Sequence, residues 1–219
     1  MPRALPSSPL PHIAARPLAN RVAPTGELVS TPARGTMYGV RGGRFHDPAT
    51  QTVRGKPWAT KNWICCALSF KNRRNNVWGR YYTALFFCDE ITAFSAGHRP
   101  CFECRRADAK AFAEAVQRFD NLARPPKAPD MDERLHAERL EGRSKRVHHI
   151  AATELPDGAM LLIDDAPHAL KNGRLLRWSF DGYSLTTLAP PAIADVLTPP
   201  MSLGALRAGY QPRWHASAG

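Results

Sequence analysis

The segment Gly97-His98-Arg99-Pro100-Cys101-Phe102-Glu103-Cys104-Arg105-Arg106 constrains this chain more than any other. It is a Cys-x-x-Cys knuckle with proline ahead of the first sulfur and two arginines behind the second. Two thiolates at this spacing can hold one soft cation from a single helix start. A closed site normally has four ligands, so a metal would require distant parts of the chain to converge on the knuckle. The candidates are the adjacent Cys65 and Cys66, together with Cys88 and His98. Neighbouring side chains on a strand point to opposite faces, so Cys65 and Cys66 do not easily reach one ion. Around Zn2+ the knuckle supplies Cys101 and Cys104, and the remaining positions stay open to Cys65, Cys66, Cys88, His98 or water. The alternative is a metal-free knuckle whose thiols simply pack.

Five cysteines, two of them adjacent, make a poor disulfide framework and read as reduced thiols in a cytoplasmic protein. No apolar run approaches bilayer-crossing length, and the first residues lack the apolar core of a secretory signal. A membrane is therefore not an expected partner. The formal charge of +11 is unevenly placed. Thirteen Lys and Arg precede Asp89 against only two acids, Glu27 and Asp47, whereas the remainder carries seventeen of each sign. A one-sided basic region suits a polyanion such as nucleic acid, although a solvated surface has the same composition.

Three regions are expected. Residues 1–34, rich in Pro, Ala, Ser and Arg, read as a disordered lead. Residues 35–150 hold the knuckle and a helical extension, and residues 151–219 form a small β-rich part packed on the same core. The glycine-bordered stretch 35–43 begins the ordered chain with a strand or a turn. The apolar run Trp63–Phe70 and the aromatic run Tyr81–Cys88 read as two strands paired in a hairpin with a basic tip at Arg73 and Arg74. Helices are expected at Glu90–Ala96, capped by Asp89 and ended by Gly97, and at Arg105–Phe119, Asp130–Leu140 and Pro200–Ala208. Two further strands, Ala159–Ile163 and Arg174–Phe180, flank turn chemistry at Lys171-Asn172-Gly173. The fold class is α+β, a small antiparallel sheet with helices around the knuckle.

The stretch from Tyr82 to Arg106 is similar to the zinc-binding domain of the Ada DNA-repair proteins. It has a strand ending in an aromatic pair and an acid (Phe86-Phe87-Cys88-Asp89), a short helix closing with Ala96-Gly97, then Arg99-Pro100-Cys101-x-x-Cys104 and a basic residue. The resemblance covers a little over a tenth of the chain. It implies zinc at Cys101 and Cys104, and an earlier cysteine that takes a methyl group from a DNA methylphosphotriester. Trp63-Ile64-Cys65-Cys66 is the counterpart of that entry, which makes Cys65 and Cys66 the candidate acceptors. The family's second early cysteine is missing, for Ser69 and Phe70 stand there. Arg73, Arg74, Arg99, Arg105 and Arg106 are the residues expected to meet DNA phosphates. The C-terminal part, with the phrases Leu155-Pro156-Asp157-Gly158, Leu197-Thr198-Pro199-Pro200 and Leu206-Arg207-Ala208-Gly209-Tyr210, resembles a bacterial protein family.

A second functional class rests on His136-Ala137-Glu138. Zinc deaminases pair His-x-Glu with Pro-Cys-x-x-Cys, the Glu moving protons. Here both halves occur in reversed order, so this reading needs a permuted deaminase or another zinc hydrolase with His136 and Glu138 as catalytic groups. A charged, solvated helix accounts for the same residues. The third reading is a non-catalytic fold with a structural knuckle.

Overall fold

A computed structural model describes residues 17–72 and 77–219. The protein is α+β, with two six-stranded sheets and four α-helices among these residues. The first sheet is built from β1 (Ala19–Val22), β2 (Leu28–Ser30) and β3 (Met37–Arg41), then, after a ribbon of β4 (His46–Asp47) and β5 (Thr52–Val53), from β6 (Trp63–Cys66), β7 (Leu85–Phe87) and β8 (Arg99–Pro100). Its order is β2-β1-β7-β3-β6-β8. Helix α1 (Glu90–Ser95) separates β7 from β8, and α2 (Arg106–Asp120) and α3 (Ala128–Arg139) follow. A second ribbon, β9 (Leu140–Glu141) with β10 (Ser144–Lys145), leads to the second sheet. That sheet contains β11 (His148–Ala151), β12 (Met160–Ile163), β13 (Ala166–Lys171), β14 (Arg174–Ser179), β15 (Gly182–Leu185) and β16 (Ile193–Val196) in the order β11-β16-β12-β13-β14-β15. Helix α4 (Pro200–Arg207) packs on α2 and α3.

Several expectations are corrected. Residues 19–30 are not disordered: β1 and β2 form a hairpin, and β1 runs parallel to β7. The Trp63 and Leu85 strands do not pair with one another. Each is antiparallel to β3, which lies between them, so they run parallel and a hairpin is impossible. Gly39 in β3 makes this insertion feasible, because a Cβ there would sit 2.5 Å from the Ile64 carbonyl and 2.6 Å from the Phe87 ring. The first sheet is mixed, since β8 also joins β6 in parallel. The connection from β6 to β7 runs from residue 67 to residue 84. Its Trp78 is stacked on His46 at 5.2 Å and donates its indole N–H to Ala84 O. The expected basic tip at Arg73 and Arg74 lies outside the described residues. In the second sheet β13 separates the two foreseen strands, and Asn172 and Gly173 adopt the left-handed turn between β13 and β14.

Helix α1 is the hub. All six of its residues are buried, which a surface helix never shows. Ala93 faces the first sheet beside Cys65, Leu85 and Phe87. Ile91 packs with Met160, Leu176 and Trp178 of the second sheet. Phe94 joins the helical core with Phe112, Met131, Leu135 and Tyr210. The rings of Phe94, Phe112 and Tyr210 lie 5.3–5.6 Å apart, and such pairs add about 0.5–1.5 kcal/mol each beyond area burial. The polar groups of α1 have partners. Asp89 caps it by accepting from the Thr92 N–H, and also accepts from the Tyr183 hydroxyl and the His215 N–H. Glu90 accepts from the Tyr210 hydroxyl and the Arg213 N–H. The buried Thr198, just before α4, accepts from the Met160 N–H. The orphan N–H of Met201 at the start of α4 donates to Glu138 of α3.

Candidate metal centre

The site begins with the alternation of β6. Trp63 and Cys65 turn toward α1, and Ile64 and Cys66 turn to the opposite face. Strand β8 docks along β6 with Ile64 opposite Arg99 and Cys65 opposite Pro100. The Cys101 N–H then donates to Cys65 O at 3.0 Å, which sets Cys101 beside Cys66. The knuckle turns, and Cys104 returns to the same point just before α2. The sulfurs of Cys66, Cys101 and Cys104 all lie within 4.8 Å of one another. With metal–sulfur bonds near 2.3 Å, tetrahedral thiolates sit roughly 3.8 Å apart, so these three need only a small contraction to share an ion. Three close cysteines form a group able to bind a metal ion.

Backbone N–H groups favour charge on the cluster. Glu103 N–H donates to Cys101 Sγ at 3.4 Å. The Cys104 N–H also reaches Cys101, and the Ala67 N–H reaches Cys104. Hydrogen bonds from Cys104 and Cys66 hold the Cys101 thiol far below its ordinary range. The same contacts push Cys66 and Cys104 up, because a second negative sulfur beside the first is opposed. A cation between the sulfurs removes that conflict.

The three cysteines open on a cleft of about 480 Å³, which they line together with Tyr38, Phe70, Tyr82 and Phe86. Tyr38 stands across from Cys66 in register, and burial with Cys66, Tyr82 and Cys104 nearby pushes its phenol up to about 12. Tyr82 is largely exposed, as is Leu68 at the rim. The aromatic lining was not foreseen. Its one signal was the alternation of β3, which sets Tyr38 and Val40 on the cleft face; no local pattern places Phe70 or Tyr82 beside the thiols.

The other expected ligands and phosphate contacts sit elsewhere. Cys65 is sealed on the far face, where burial raises its thiol and its polar neighbour is Arg105 Nη1 at 3.6 Å. Cys88 is buried against the second sheet, which raises it too. His98 is fully buried between the rings of Trp63 and Phe87 and accepts from Arg41 Nε at 3.4 Å. Burial, Arg41 and Arg139 hold it well below its ordinary value, so it is a neutral core histidine. His136 packs edge-on to Trp58 and Trp63 with Nδ1 2.8 Å from Arg139, and Glu138 pairs with Arg134 and holds the start of α4. Neither belongs to the thiol group, so the reversed deaminase constellation does not assemble. Arg99 is buried and forked onto Asp132 at 2.9 and 2.8 Å. Arg105 is buried in ion pairs with Glu90 and Asp108, both at 2.8 Å. These two arginines are struts of the fold and unavailable to DNA; Arg106 is exposed. Among the described residues no helix is long and apolar enough to cross a membrane. No protein-family model, curated protein or solved structure matches this chain.

Proposed function

We propose that Cys66, Cys101 and Cys104 hold a zinc ion at the floor of the aromatic cleft, and that the cleft receives nucleic acid, in the manner of the Ada-type domain the sequence resembles. The observation that carries this reading is the meeting of three sulfurs, from two segments 35 residues apart in sequence, beneath an open apolar cleft. Bound zinc keeps thiolates deprotonated and nucleophilic at neutral pH. The chain's own part is to aim them. Strand β6 fixes Cys66, the knuckle N–H groups orient Cys101, and Tyr38, Phe70, Tyr82 and Phe86 offer flat faces for bases. Exposed Lys71, Arg80 and Arg106 supply positive charge for phosphates. In repair-type transfer a thiolate of this group attacks the methyl carbon of a methylphosphotriester. A sulfur–carbon bond forms, the carbon–oxygen bond breaks, and the phosphodiester leaves as an anion.

The test is zinc analysis of the purified protein followed by incubation with DNA carrying methylphosphotriesters and peptide mass mapping. One methyl group on one cysteine of the trio is the expected result. Zinc without methylation would leave a metal-binding protein and refute the transfer. A structural clip is the second reading, favoured by the burial of Cys66 and Cys101. It expects zinc loss to unfold the chain and no reaction of the thiols.

A further inference from the structure

On the other face of the same two strands, three cations are gathered with no acid in ion-pair contact among the described residues. Arg41 of β3 is paired in register with Trp63 of β6, and its guanidinium lies over the indole at 4.0 Å. Arg139, from the end of α3, lies over the same indole at 3.9 Å. Gly97 makes room for it, since a Cβ there would strike the Arg139 stem at 2.5 Å. Lys145 enters from β10 and donates to Ser95 O. Both arginines are fully buried.

Their acceptors are all neutral. Arg41 donates to Gly26 O at 2.7 Å, and Arg139 to Gly97 O at 3.0 Å and Lys61 O at 2.8 Å. Among the described residues no Asp or Glu lies within ion-pair distance of Arg41, Arg139 or Lys145. Residues 1–16 and 73–76 contain no acid at all. Carbonyl dipoles satisfy most of the hydrogen bonds but supply no paired counter-charge, and buried charge is costly without a counter-ion. Burial pushes Arg41 and Arg139 down to about 9; repulsion from Arg139 adds to the effect at Arg41, and the more distant Asp132 offsets part of it at Arg139.

Beside this cluster runs a cavity of about 360 Å³ lined by Arg41, Arg139, Lys145, Thr25 and Trp58, with Arg143 and one acid, the exposed Glu27, also in its wall. Two buried polar atoms of its lining lack a partner: Thr25 Oγ1 and Arg139 Nε. A compact anion with several acceptor oxygens answers both deficits at once. We propose that this cavity is a binding site for a phosphate group, either free phosphate or a small phosphate monoester. Guanidinium forks match tetrahedral phosphate oxygens, an ammonium adds a point charge, and a threonine hydroxyl donates the last bond. The site is separate from the thiol centre and does not depend on it.

The experiment is calorimetric titration of the full chain, dialysed free of phosphate, with inorganic phosphate and with glycerol phosphate. Sodium chloride at matched ionic strength is the control, and melting temperature is read in parallel. Saturable one-to-one binding is expected, weakened about ten-fold in Lys145→Met and about three-fold in Thr25→Val. Cys66→Ser should bind phosphate as the parent does. Tighter binding of glycerol phosphate assigns an ester, and tighter binding of phosphate assigns the free ion. No response to either, a response equalled by chloride, or undiminished binding in a folded Lys145→Met would overturn the proposal. Should Lys145→Met fail to fold, Thr25→Val and the exposed Arg143→Ala decide, both having to weaken binding.

Discussion

Replacing Cys66 with serine, with Cys65→Ser as its internal control, tests the geometry of the centre. The two residues are adjacent and chemically identical and differ in the sheet face they occupy. Structural zinc sites are worth roughly 10–16 kcal/mol over four ligands, so each ligand carries about 2.5–4 kcal/mol, or roughly two to three decades of dissociation constant. Cys66→Ser should lose that much affinity. Cys65 has no exposed surface and lies among Leu85, Phe87 and Ala93. A hydroxyl there should cost about 1–3 kcal/mol of stability and leave metal affinity unchanged. Competition with a chromophoric chelator reads affinity, and urea unfolding with and without zinc reads stability. Metal at a hundred times its dissociation constant adds about 2.7 kcal/mol to a protein that binds it only when folded. That increment should appear in the parent and in Cys65→Ser and vanish in Cys66→Ser. Parental affinity in Cys66→Ser, or equal loss of metal in both variants, would refute the alternation argument.

Other outcomes follow from the same structure. Glu90→Gln removes the buried carboxylate facing Arg105 at 2.8 Å and should cost about 3–5 kcal/mol in urea unfolding, uncoupling α1 from the C-terminal segment. Glu138→Ala should cost about 1 kcal/mol through the lost bond to the first turn of α4 with zinc content unchanged; a loss of zinc would revive Glu138 as part of the centre. Burial, together with Arg139 and Arg41, pushes Lys145 down to about 7, so the folded chain binds fewer protons there than the unfolded one. This term therefore makes stability rise with pH between about 7 and the ordinary lysine value of 10.5, by up to about 1.4 kcal/mol per unit, and it levels off below about 7, where both states are protonated. Unfolding of Lys145→Met followed against pH should show the slope reduced. Arg106→Ala should weaken DNA binding and lower its salt slope by about 1, measured by fluorescence anisotropy, whereas Arg99→Ala should act through stability, because its charge is spent on Asp132.

Much of the local structure was readable from residue type. Asp89 before α1, Gly97 after it and Asn172-Gly173 between strands each impose their own backbone conformation or hydrogen bond, whatever surrounds them. The incompatibility of Cys65 and Cys66 at one ion was readable for the same reason, since strand alternation is a property of the backbone. Which of the two joins the knuckle was not, because that depends on β8 docking along β6 and on β3 separating β6 from β7. The arginines show the limit most clearly. By composition Arg99, Arg105, Arg41 and Arg139 look alike, yet the first two are ion-paired with Asp132 and Glu90 while the last two make no ion pair among the described residues. Charge in a sequence is a count, and its partners come from elements tens of residues away. The sequence thus determined the short-range elements and the knuckle's capacity for a soft cation. Tertiary packing alone decided which sulfur completes the trio, that the trio opens on an aromatic cleft, and where positive charge is left uncompensated, because each of these depends on contacts between segments remote along the chain.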